Sequence, residues 1–171
     1  GLPMIHGMVL MLEAGTGRPL ALLEGAALTA IRTGAGGGAA TDVLARSDAA
    51  VVAMLGSGVQ ARTLLAAVCT VRTIREVRLY SPTPAHAAAF AREMAGSGPV
   101  PGAIRVVGDA GTAVRGADIV CAATTSSSPV FSGADLLPGA HVVGVGSYLP
   151  TMQEVDLETV RKALVVVDQR E

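Results

Sequence analysis

Short apolar runs separated by turn-forming residues open the chain and predict a β-hairpin. The runs cover residues 7–13 and 19–24, and a turn signal at residues 14–18 lies between them. The next stretch, from Gly25 to about Arg46, predicts a helix although it contains several glycines, each of which costs helix stability. Such a run of small residues indicates that another backbone or a ligand approaches this helix closely.

From residue 50 onwards, continuous apolar runs alternate with helical segments. The runs predict six buried strands, at residues 50–55, 76–80, 104–107, 118–122, 140–145 and 164–167. Unbroken apolar strands that alternate with helices are typical of a parallel sheet covered on both faces. The pattern therefore predicts an α/β fold, with a doubly wound parallel-sheet Rossmann domain.

The hairpin and the first helix lie outside this strand count and look like the edge of a second domain. We therefore predict two parts. Residues 1–46 are a remnant of a second domain, made of the hairpin and its connecting helix, and residues 47–171 are the Rossmann domain. Because the sequence stops directly after the sixth predicted strand, we expect a fragment of a longer protein.

The loop after the first strand of the Rossmann domain carries the most specific motif, a G-x-G-x-x-A variant of the dinucleotide fingerprint. Its first glycine allows a tight turn, its second lets the backbone approach a pyrophosphate, and its alanine keeps the helix close to the strand. The diphosphate would lie at the helix N-terminus, on free N–H groups and the positive end of the helix dipole. An ordinary tight turn in a nucleotide-free fold is the alternative interpretation. The predicted cofactor contacts of this loop are Gly56, Gly58, Val59, Gln60 and Ala61.

The end of the second strand bears on the choice between NAD and NADP. An NAD site usually places Asp or Glu there, on the ribose hydroxyls, whereas this chain has Ser81, followed by Pro82 and Thr83. No carboxylate would repel a 2′-phosphate, yet no adjacent arginine is present to bind one. The hydroxyls of Ser81 and Thr83 could contact either cofactor, and we favour NADP slightly.

Composition narrows the class of function. The formal net charge is −1 and no basic stripe is interleaved with aromatic residues, which argues against nucleic-acid binding. No apolar run is long enough to span a membrane.

Cys69 and Cys121 look like small core residues in a reducing compartment, so we expect a soluble cytoplasmic protein. The three histidines lack metal-ligand spacing, and no metal site is expected: they are His6, His86 and His141.

Four segments resemble the ornithine cyclodeaminase and mu-crystallin family, in the order and spacing of that family. They are residues 28–35, 56–62, 117–125 and 145–156. The resemblance runs through essentially all 171 residues. It implies hydride transfer with NAD(P) at a carbon that bears nitrogen beside a carboxylate, a small amino-acid or imino-acid substrate, and a homodimer when the protein is full length. It also implies a separate dimerisation domain, whose last two strands the hairpin resembles.

The resemblance implies roles for two residues of the glycine-rich helix. It assigns Arg32 to the substrate carboxylate, and the chemistry agrees because a guanidinium offers a bidentate fork for a carboxylate. A surface or capping arginine is the alternative interpretation. The resemblance also suggests that Thr33 contacts the cofactor phosphates.

Two further groups of candidates follow later strands. Thr124 and Thr125 follow the fourth strand of the Rossmann domain, where ligands of such folds bind, although they could also belong to a polar loop without a role. The segment of Val145, Gly146 and Ser147 lies beside the nicotinamide in the family, and Gly146 would permit close backbone approach.

Acidic residues near the C-terminal end receive a structural interpretation. We expect Glu154, Asp156 and Glu158 to face solvent or to cap a helix that begins near Asp156. Glu154 is kept as a weaker candidate for the edge of the site.

Two departures from the family pattern separate the possible activities. Where cyclodeaminases carry an aspartate used in acid–base chemistry this chain has Tyr148, and where the family carries a lysine it has Met152. A phenol is mostly protonated at neutral pH and could only donate a hydrogen bond. The family's substrate-contacting lysine would lie upstream of residue 1.

These departures favour an NAD(P)-dependent oxidoreductase that reduces a cyclic imino acid, or interconverts an amino acid and its imino or keto acid. One alternative is a cyclodeaminase-type lyase that converts L-ornithine to L-proline and ammonia with bound NAD. Another is an NADP-binding protein without turnover. The chain itself, lacking most of the second domain, could be inactive.

Overall fold

The structure, a computed structural model, describes residues 7–168 and contains seven strands and five α-helices within that range. His6 and the outer ends of the two predicted domains lie outside the described residues. The strands are β1 (Met8–Leu12), β2 (Pro19–Glu24), β3 (Val51–Leu55), β4 (Glu76–Tyr80), β5 (Arg105–Val106), β6 (Ile119–Ala122) and β7 (His141–Gly144). The helices are α1 (Gly25–Leu44), α2 (Val59–Val71), α3 (Pro84–Met94), α4 (Ala110–Val114) and α5 (Leu157–Lys162).

Five of the strands form one sheet in the order β5-β4-β3-β6-β7, and all neighbours in it are parallel. The chain builds outwards from β3 through β4 to β5, then returns to the other side of β3 with β6 and β7. This reversal beside the first strand is the doubly wound arrangement. The predicted fold class is confirmed, and the carboxyl ends of β3, β4, β6 and β7 lie along one edge of the sheet.

The centre of the sheet is buried on both faces, and successive side chains of a strand, which point in opposite directions, enter two different cores. In β3, Val52 and Met54 enter one core with helices α2 and α3, while Ala53 and Leu55 enter a second core with α4. Both faces therefore require apolar side chains at the central strands β3 and β6, and this explains their unbroken apolar runs, whereas β4 alternates buried and partly exposed positions and β5 is exposed.

The predicted sixth strand is wrong. Residues 164–167 follow α5 without strand structure, and Leu164 is 87% exposed. A run of apolar residues becomes a strand only where a neighbouring strand accepts and donates its backbone hydrogen bonds. Within residues 7–168, β7 is the last strand on that side of the sheet and no segment pairs with 164–167.

The glycines of α1 are explained by its contact with α2. The buried face of α1 consists of small residues, and methyl groups added at Gly34 and Gly38 would lie 2.6 Å from the Thr63 carbonyl carbon and 2.8 Å from Ala67 Cβ. The expected close approach of another backbone is thereby confirmed. The packing of two helices overrides the low helix propensity of glycine, while the Glu24 carboxylate caps the amides of Ala26 and Ala27.

Strands β1 and β2 form a separate two-stranded antiparallel sheet, as the hairpin prediction required. Every residue of β1 is exposed, although the strand is wholly apolar. The ribbon meets the rest of the chain through α1, which begins directly after β2. It therefore presents apolar surface that the described residues do not cover.

Three smaller observations concern cysteines, metals and membranes. Burial raises the pKa of the Cys69 thiol to about 11 and that of Cys121 to about 12, so both are protonated core residues at neutral pH. Over residues 7–168 the structure contains no cluster of three His, Cys, Asp or Glu side chains that could hold a metal ion. No helix in that range combines the length and apolarity needed to cross a bilayer.

Candidate functional site

The glycine loop lies where three strands end at the carboxyl edge of the sheet. Gly56 follows β3 directly, and its amide donates a hydrogen bond of 2.9 Å to the carbonyl oxygen of Tyr80 at the end of β4. On the other side, Ala123, just beyond β6, donates to the carbonyl oxygen of Leu55. The loop is therefore fixed between the ends of β4 and β6, at the point where the strand order reverses.

The two glycines of the loop serve different purposes. Gly56 has φ +104°, and a side chain there would run into the carbonyl oxygen of Ala123, so only glycine fits against β6. Gly58 has φ −80°, and a methyl group added to it would meet nothing within 4 Å. Gly56 is thus required by the fold itself, whereas the space beside Gly58 is open to a ligand.

The N-terminus of α2 faces this open space without a cap. Gly58 occupies the capping position and supplies no side chain, and the described residues place no other side chain on the amides of the first turn. The first turn also contains no acidic residue. Free amides and the positive end of the helix dipole therefore converge on the space beside Gly58, an arrangement that suits an anion.

Among the predicted loop residues, Ala61 is buried, Val59 is exposed and Gln60 is half-buried. The Gln60 side-chain oxygen is shielded from solvent and lacks a hydrogen-bond partner among the described residues. A small buried residue at Ala61 lets α2 lie close to the sheet, as the motif predicts.

Arg62 supports the loop from behind, a role that the sequence interpretation missed. Its guanidinium donates to the carbonyl oxygens of Ser57 and Gly58 at 2.8 and 2.9 Å, and it also forms a bidentate pair with Glu93. The hydrogen bond between the two side chains raises the pKa of Arg62 and lowers that of Glu93. These donors are engaged within the protein, so Arg62 is not poised to bind a phosphate.

The end of β4 presents hydroxyl groups. Ser57 Oγ donates a hydrogen bond of 2.9 Å to Ser81 Oγ, which joins the glycine loop to the residue that follows β4. Thr83 is exposed and occupies the N-cap position of α3 without capping it through its side chain. Of the predicted ribose contacts, Ser81 therefore lies beside the loop and Thr83 lies two residues further on, and no carboxylate stands at Ser81.

The ends of β6 and β7 are joined through a third segment. Thr124 and Gly146 lie two residues beyond these strands, and both donate backbone hydrogen bonds to the carboxylate of Glu154. Ser147 Oγ accepts from the Glu154 amide at 3.1 Å. The structure thus brings three predicted site residues together around Glu154, while Thr125 is exposed and Val145 packs against the core.

The prediction that Glu154 faces solvent or caps a helix is wrong, because the residue is 1% exposed. No pattern in the adjacent sequence signals this burial, since Glu154 contacts Thr124, 30 residues earlier in the chain. Its neighbours behave as predicted. Asp156 caps α5 by accepting from the Thr159 amide at 2.8 Å, and Glu158 pairs with Lys162.

Arg32 and Thr33 lie on α1, away from the glycine loop in sequence. Gly34 is buried against α2, and Arg32, two residues earlier, lies just over half a turn round the helix, on the exposed side. Thr33 is half-buried. Within residues 7–168, Arg32 has no hydrogen-bond or ion-pair partner, so the structure does not join it to the residues at the sheet edge.

The residues that depart from the family pattern follow β7. Tyr148 is 67% exposed, and Met152 is half-buried. Neither position supplies a carboxylate or an amine.

The arrangement fits a dinucleotide along the carboxyl edge. Uncapped amides and open space beside Gly58 suit the diphosphate, and hydroxyls at Ser57 and Ser81 suit a ribose. The paired ends of β6 and β7 continue the same edge, with Thr124 and Gly146 beyond them.

Comparison with known proteins identifies the family. The model of the ornithine cyclodeaminase/mu-crystallin family matches residues 1–171. The chain belongs to this family. The resemblance drawn from four sequence segments is thereby confirmed.

Individual relatives are similar over nearly the whole chain. The Δ1-pyrroline-2-carboxylate reductase of Bacillus cereus is 43% identical over 168 residues, which are 98% of this chain and 51% of that protein. The chain therefore spans about half the length of the curated relatives it matches.

Two solved structures have the same fold. The Thermococcus litoralis Δ1-pyrroline-2-carboxylate reductase, in complex with NADH and L-proline, is 42% identical with a TM-score of 0.86, and the match covers 95% of this chain and 50% of that one. An archaeal alanine dehydrogenase dimer with bound NAD is 32% identical with a TM-score of 0.88, over 99% of this chain and 51% of the other.

Proposed function

We propose that the chain forms the cofactor-binding part of an NAD(P)-dependent oxidoreductase that reduces a cyclic imino acid or interconverts an amino acid and its imino or keto acid. The observation that carries the proposal is the pair of glycines at the start of α2. One is required by packing against β6, and the other leaves open space in front of uncapped amides. Relatives that act on cyclic imino acids support the class of substrate.

In this proposal different segments along the carboxyl edge of the sheet bind different parts of the cofactor. The amides at the start of α2 bind the diphosphate, and Ser81 and Thr83 lie beside the ribose of the adenosine half. The loops after β6 and β7, which include Thr124 and Gly146, lie beside the nicotinamide. Bound NAD(P)H supplies the hydride for the imine carbon.

The choice between NAD and NADP stays open within the proposal. The Thermococcus litoralis reductase with bound NADH and the archaeal alanine dehydrogenase with bound NAD support the form without a 2′-phosphate. The absence of a carboxylate at Ser81 favours NADP, but the guanidinium of Arg62 is engaged by Glu93 and the loop carbonyls.

Arg32 is proposed to bind the substrate carboxylate. Its guanidinium is exposed and has no partner in residues 7–168, so its donors are available to a ligand or to a segment that lies over α1. A guanidinium and a carboxylate form two parallel hydrogen bonds, which orient the substrate as well as bind it. Thr33, the next residue, is proposed to contact the cofactor phosphates.

Cyclodeamination is the less favoured reaction. Tyr148 and Met152 stand where the resemblance implies an aspartate and a lysine, and neither can exchange a proton as those groups do.

The proposal also includes a domain boundary after residue 46, a cytoplasmic location, and a homodimer. The dimer is supported by the apolar ribbon of β1 and β2, which residues 7–168 leave exposed, and by the dimeric alanine dehydrogenase.

The test follows the absorbance of NADPH and NADH with the complete protein and Δ1-pyrroline-2-carboxylate. We expect loss of absorbance that depends on the imino acid. Arg32→Ala is expected to lower kcat/KM by roughly 100-fold, because two charge-assisted hydrogen bonds are lost. Arg75→Ala removes an exposed arginine next to β4 at the opposite edge of the sheet and serves as the control.

The outcomes separate the alternatives. If the protein binds reduced cofactor but leaves this substrate unchanged, cyclic imine reduction is wrong, and oxidation of alanine or cyclisation of ornithine is assayed in its place. Binding without any of these reactions would indicate a cofactor-binding protein. Equal activity of Arg32→Ala and Arg75→Ala would contradict the role of Arg32.

A further inference from the structure

Glu154 is a fully buried carboxylate whose partners are neutral hydrogen-bond donors. Within residues 7–168 no arginine, lysine or histidine side chain forms an ion pair with it. An isolated charge in such a place is costly unless hydrogen bonds replace the lost water. Three donors meet this need: Thr124 N at 2.5 Å, Thr124 Oγ1 at 2.8 Å and Gly146 N at 2.6 Å.

The carboxylate lies where the parallel ladder between β6 and β7 stops. Ala122 pairs with Gly144, and the last backbone hydrogen bond runs from Val145 N to Ala122 O. Thr124 and Gly146 lie two residues beyond these paired positions, after β6 and β7 respectively. Their amides donate to Oε1 and Oε2 of the same carboxylate, so Glu154 connects the two segments after direct pairing between β6 and β7 has ended.

The backbone of Glu154 adds two further connections. Its amide donates to Ser147 Oγ at 3.1 Å, and its carbonyl oxygen accepts from the Val130 amide at 2.9 Å. One residue thereby joins the loop after β6, the loop after β7 and the segment that leads to the 3-10 turn at Gly133–Asp135.

The backbone at Gly146 is closely packed against Thr124 and Glu154. A methyl group added to Gly146 would overlap the Thr124 carbonyl oxygen and lie 2.5 Å from Glu154 Oε1. Because Thr124, Gly146 and the Glu154 carboxylate are in close contact, we expect a change in the length or hydrogen-bonding pattern of the side chain at position 154 to shift one of the two loops.

We propose that Glu154 is a positioning residue that sets the distance between the loops after β6 and β7, and thereby shapes the nicotinamide half of the cofactor site. The inference rests on the proposed function. The glycine loop beside β3 and β4 holds the diphosphate and adenosine half, and the remainder of a bound dinucleotide extends along the edge towards β6 and β7. Glu154 is too buried to touch a ligand and acts through Thr124 and Gly146.

The test compares two ligands that share the adenosine half and differ in the nicotinamide. The complete protein is titrated calorimetrically with NADH and with ADP-ribose, or with NADPH and 2′-phospho-ADP-ribose if the wild type binds NADPH more tightly. Glu154→Gln replaces one acceptor oxygen with a donor, which leaves the amide of Thr124 or Gly146 facing another donor. Glu158→Gln makes the same chemical change at an exposed position four residues away and is the control.

We expect Glu154→Gln to weaken binding of the reduced dinucleotide by roughly tenfold or more, while affinity for ADP-ribose stays within about twofold of wild type. Retained ADP-ribose binding also shows that the variant is folded. If Glu154→Gln lacks a cooperative thermal transition, Glu154→Asp, which keeps the carboxyl group but shortens the side chain, undergoes the same titrations and is judged by the same ratio.

Two results would overturn the inference while leaving the proposed function intact. Unchanged affinity for both ligands would show that the loops keep their places without Glu154, and an equal loss for both would show a general structural role. A wild type that binds neither NADH nor NADPH would instead contradict the proposed function, and the inference would fail with it.

Discussion

Gly34 of α1 lies against the backbone of Thr63 in α2 so closely that a methyl group added to Gly34 would sit 2.6 Å from the Thr63 carbonyl carbon. We predict that Gly34→Ala lowers the free energy of unfolding by about 1–3 kcal/mol, because the two helix backbones must separate. This cost exceeds the gain in helix propensity of about 1 kcal/mol that alanine brings. Urea unfolding followed by circular dichroism measures the change.

Gly36 provides the matched control in the same helix. It is exposed, and a methyl group added there would meet nothing within 4 Å. Gly36→Ala is expected to raise the free energy of unfolding by about 0.5–1 kcal/mol through helix propensity alone. Equal stability of the two variants would contradict the close contact between the helices.

The second prediction separates folding from cofactor binding in the glycine loop. Gly58→Ala is expected to leave the free energy of unfolding within about 1 kcal/mol of wild type and to weaken NADH binding roughly tenfold or more, because the new methyl group occupies open space in front of α2. Gly56→Ala is expected to cost roughly 2–5 kcal/mol of stability, from its φ of +104° and its clash with Ala123.

Thermal unfolding and calorimetric titration of both variants check this prediction. A Gly58→Ala variant with wild-type affinity for NADH and NADPH would show that the cofactor does not approach this glycine.

The third prediction concerns the choice between NADH and NADPH. Ser81→Asp places a carboxylate at the end of β4, where it can accept from ribose hydroxyls and repel a 2′-phosphate. We expect affinity for NADPH to fall roughly tenfold or more while affinity for NADH is retained. Ser97→Asp, at an exposed position after α3, introduces the same charge elsewhere and should change neither affinity. An unchanged ratio of the two affinities in Ser81→Asp would place the ribose away from Ser81.

The fourth prediction is a pH dependence of stability that originates at Asp118. Burial alone would raise the pKa of this carboxyl, but hydrogen bonds from the Ala50 and Val51 amides and the charge of Arg46 outweigh burial and lower it. A carboxyl whose pKa is lower in the folded state stabilises the fold above its unfolded pKa of about 3.9. That contribution disappears as the pH falls through the folded pKa.

Asp118→Asn is therefore expected to lower the free energy of unfolding by about 1–3 kcal/mol at pH 7, and the difference from wild type should shrink below about pH 4. Asp48→Asn, which alters an exposed carboxylate 3.4 Å from Arg46, should cost less than about 0.5 kcal/mol. Urea unfolding at several pH values provides the measurement. A difference between Asp118→Asn and wild type that is constant from pH 7 to pH 3 would exclude the linkage.

Local signals in the sequence were sufficient for much of the fold. The hairpin turn, the glycine loop after β3 and the cap at Asp156 each depend on residues a few positions apart, and each was predicted with nearly the observed bounds. The rhythm of strands and helices from residue 50 also depends only on local apolar runs and gave the correct fold class.

Features that depend on distant partners were not predictable in the same way. Residues 164–167 have the composition of a strand but lack a paired neighbour within the described residues. Glu154 resembles any acidic residue before a helix until Thr124 and Gly146 are brought to it by the sheet. No sequence pattern indicated that the Arg62 side chain would donate hydrogen bonds to the carbonyl oxygens of Ser57 and Gly58.

The glycines of α1 that pack against α2 also limit how far the two helices can adjust to each other. At Gly34 and Gly38 there is no side chain of α1 that could change rotamer and absorb a displacement. The 20 residues of α1, about 30 Å of helix, are therefore expected to keep a fixed position relative to α2. Arg32 lies on α1 and Gly58 occupies the N-cap position of α2, so the packing of the two helices sets the spacing between the two proposed binding positions.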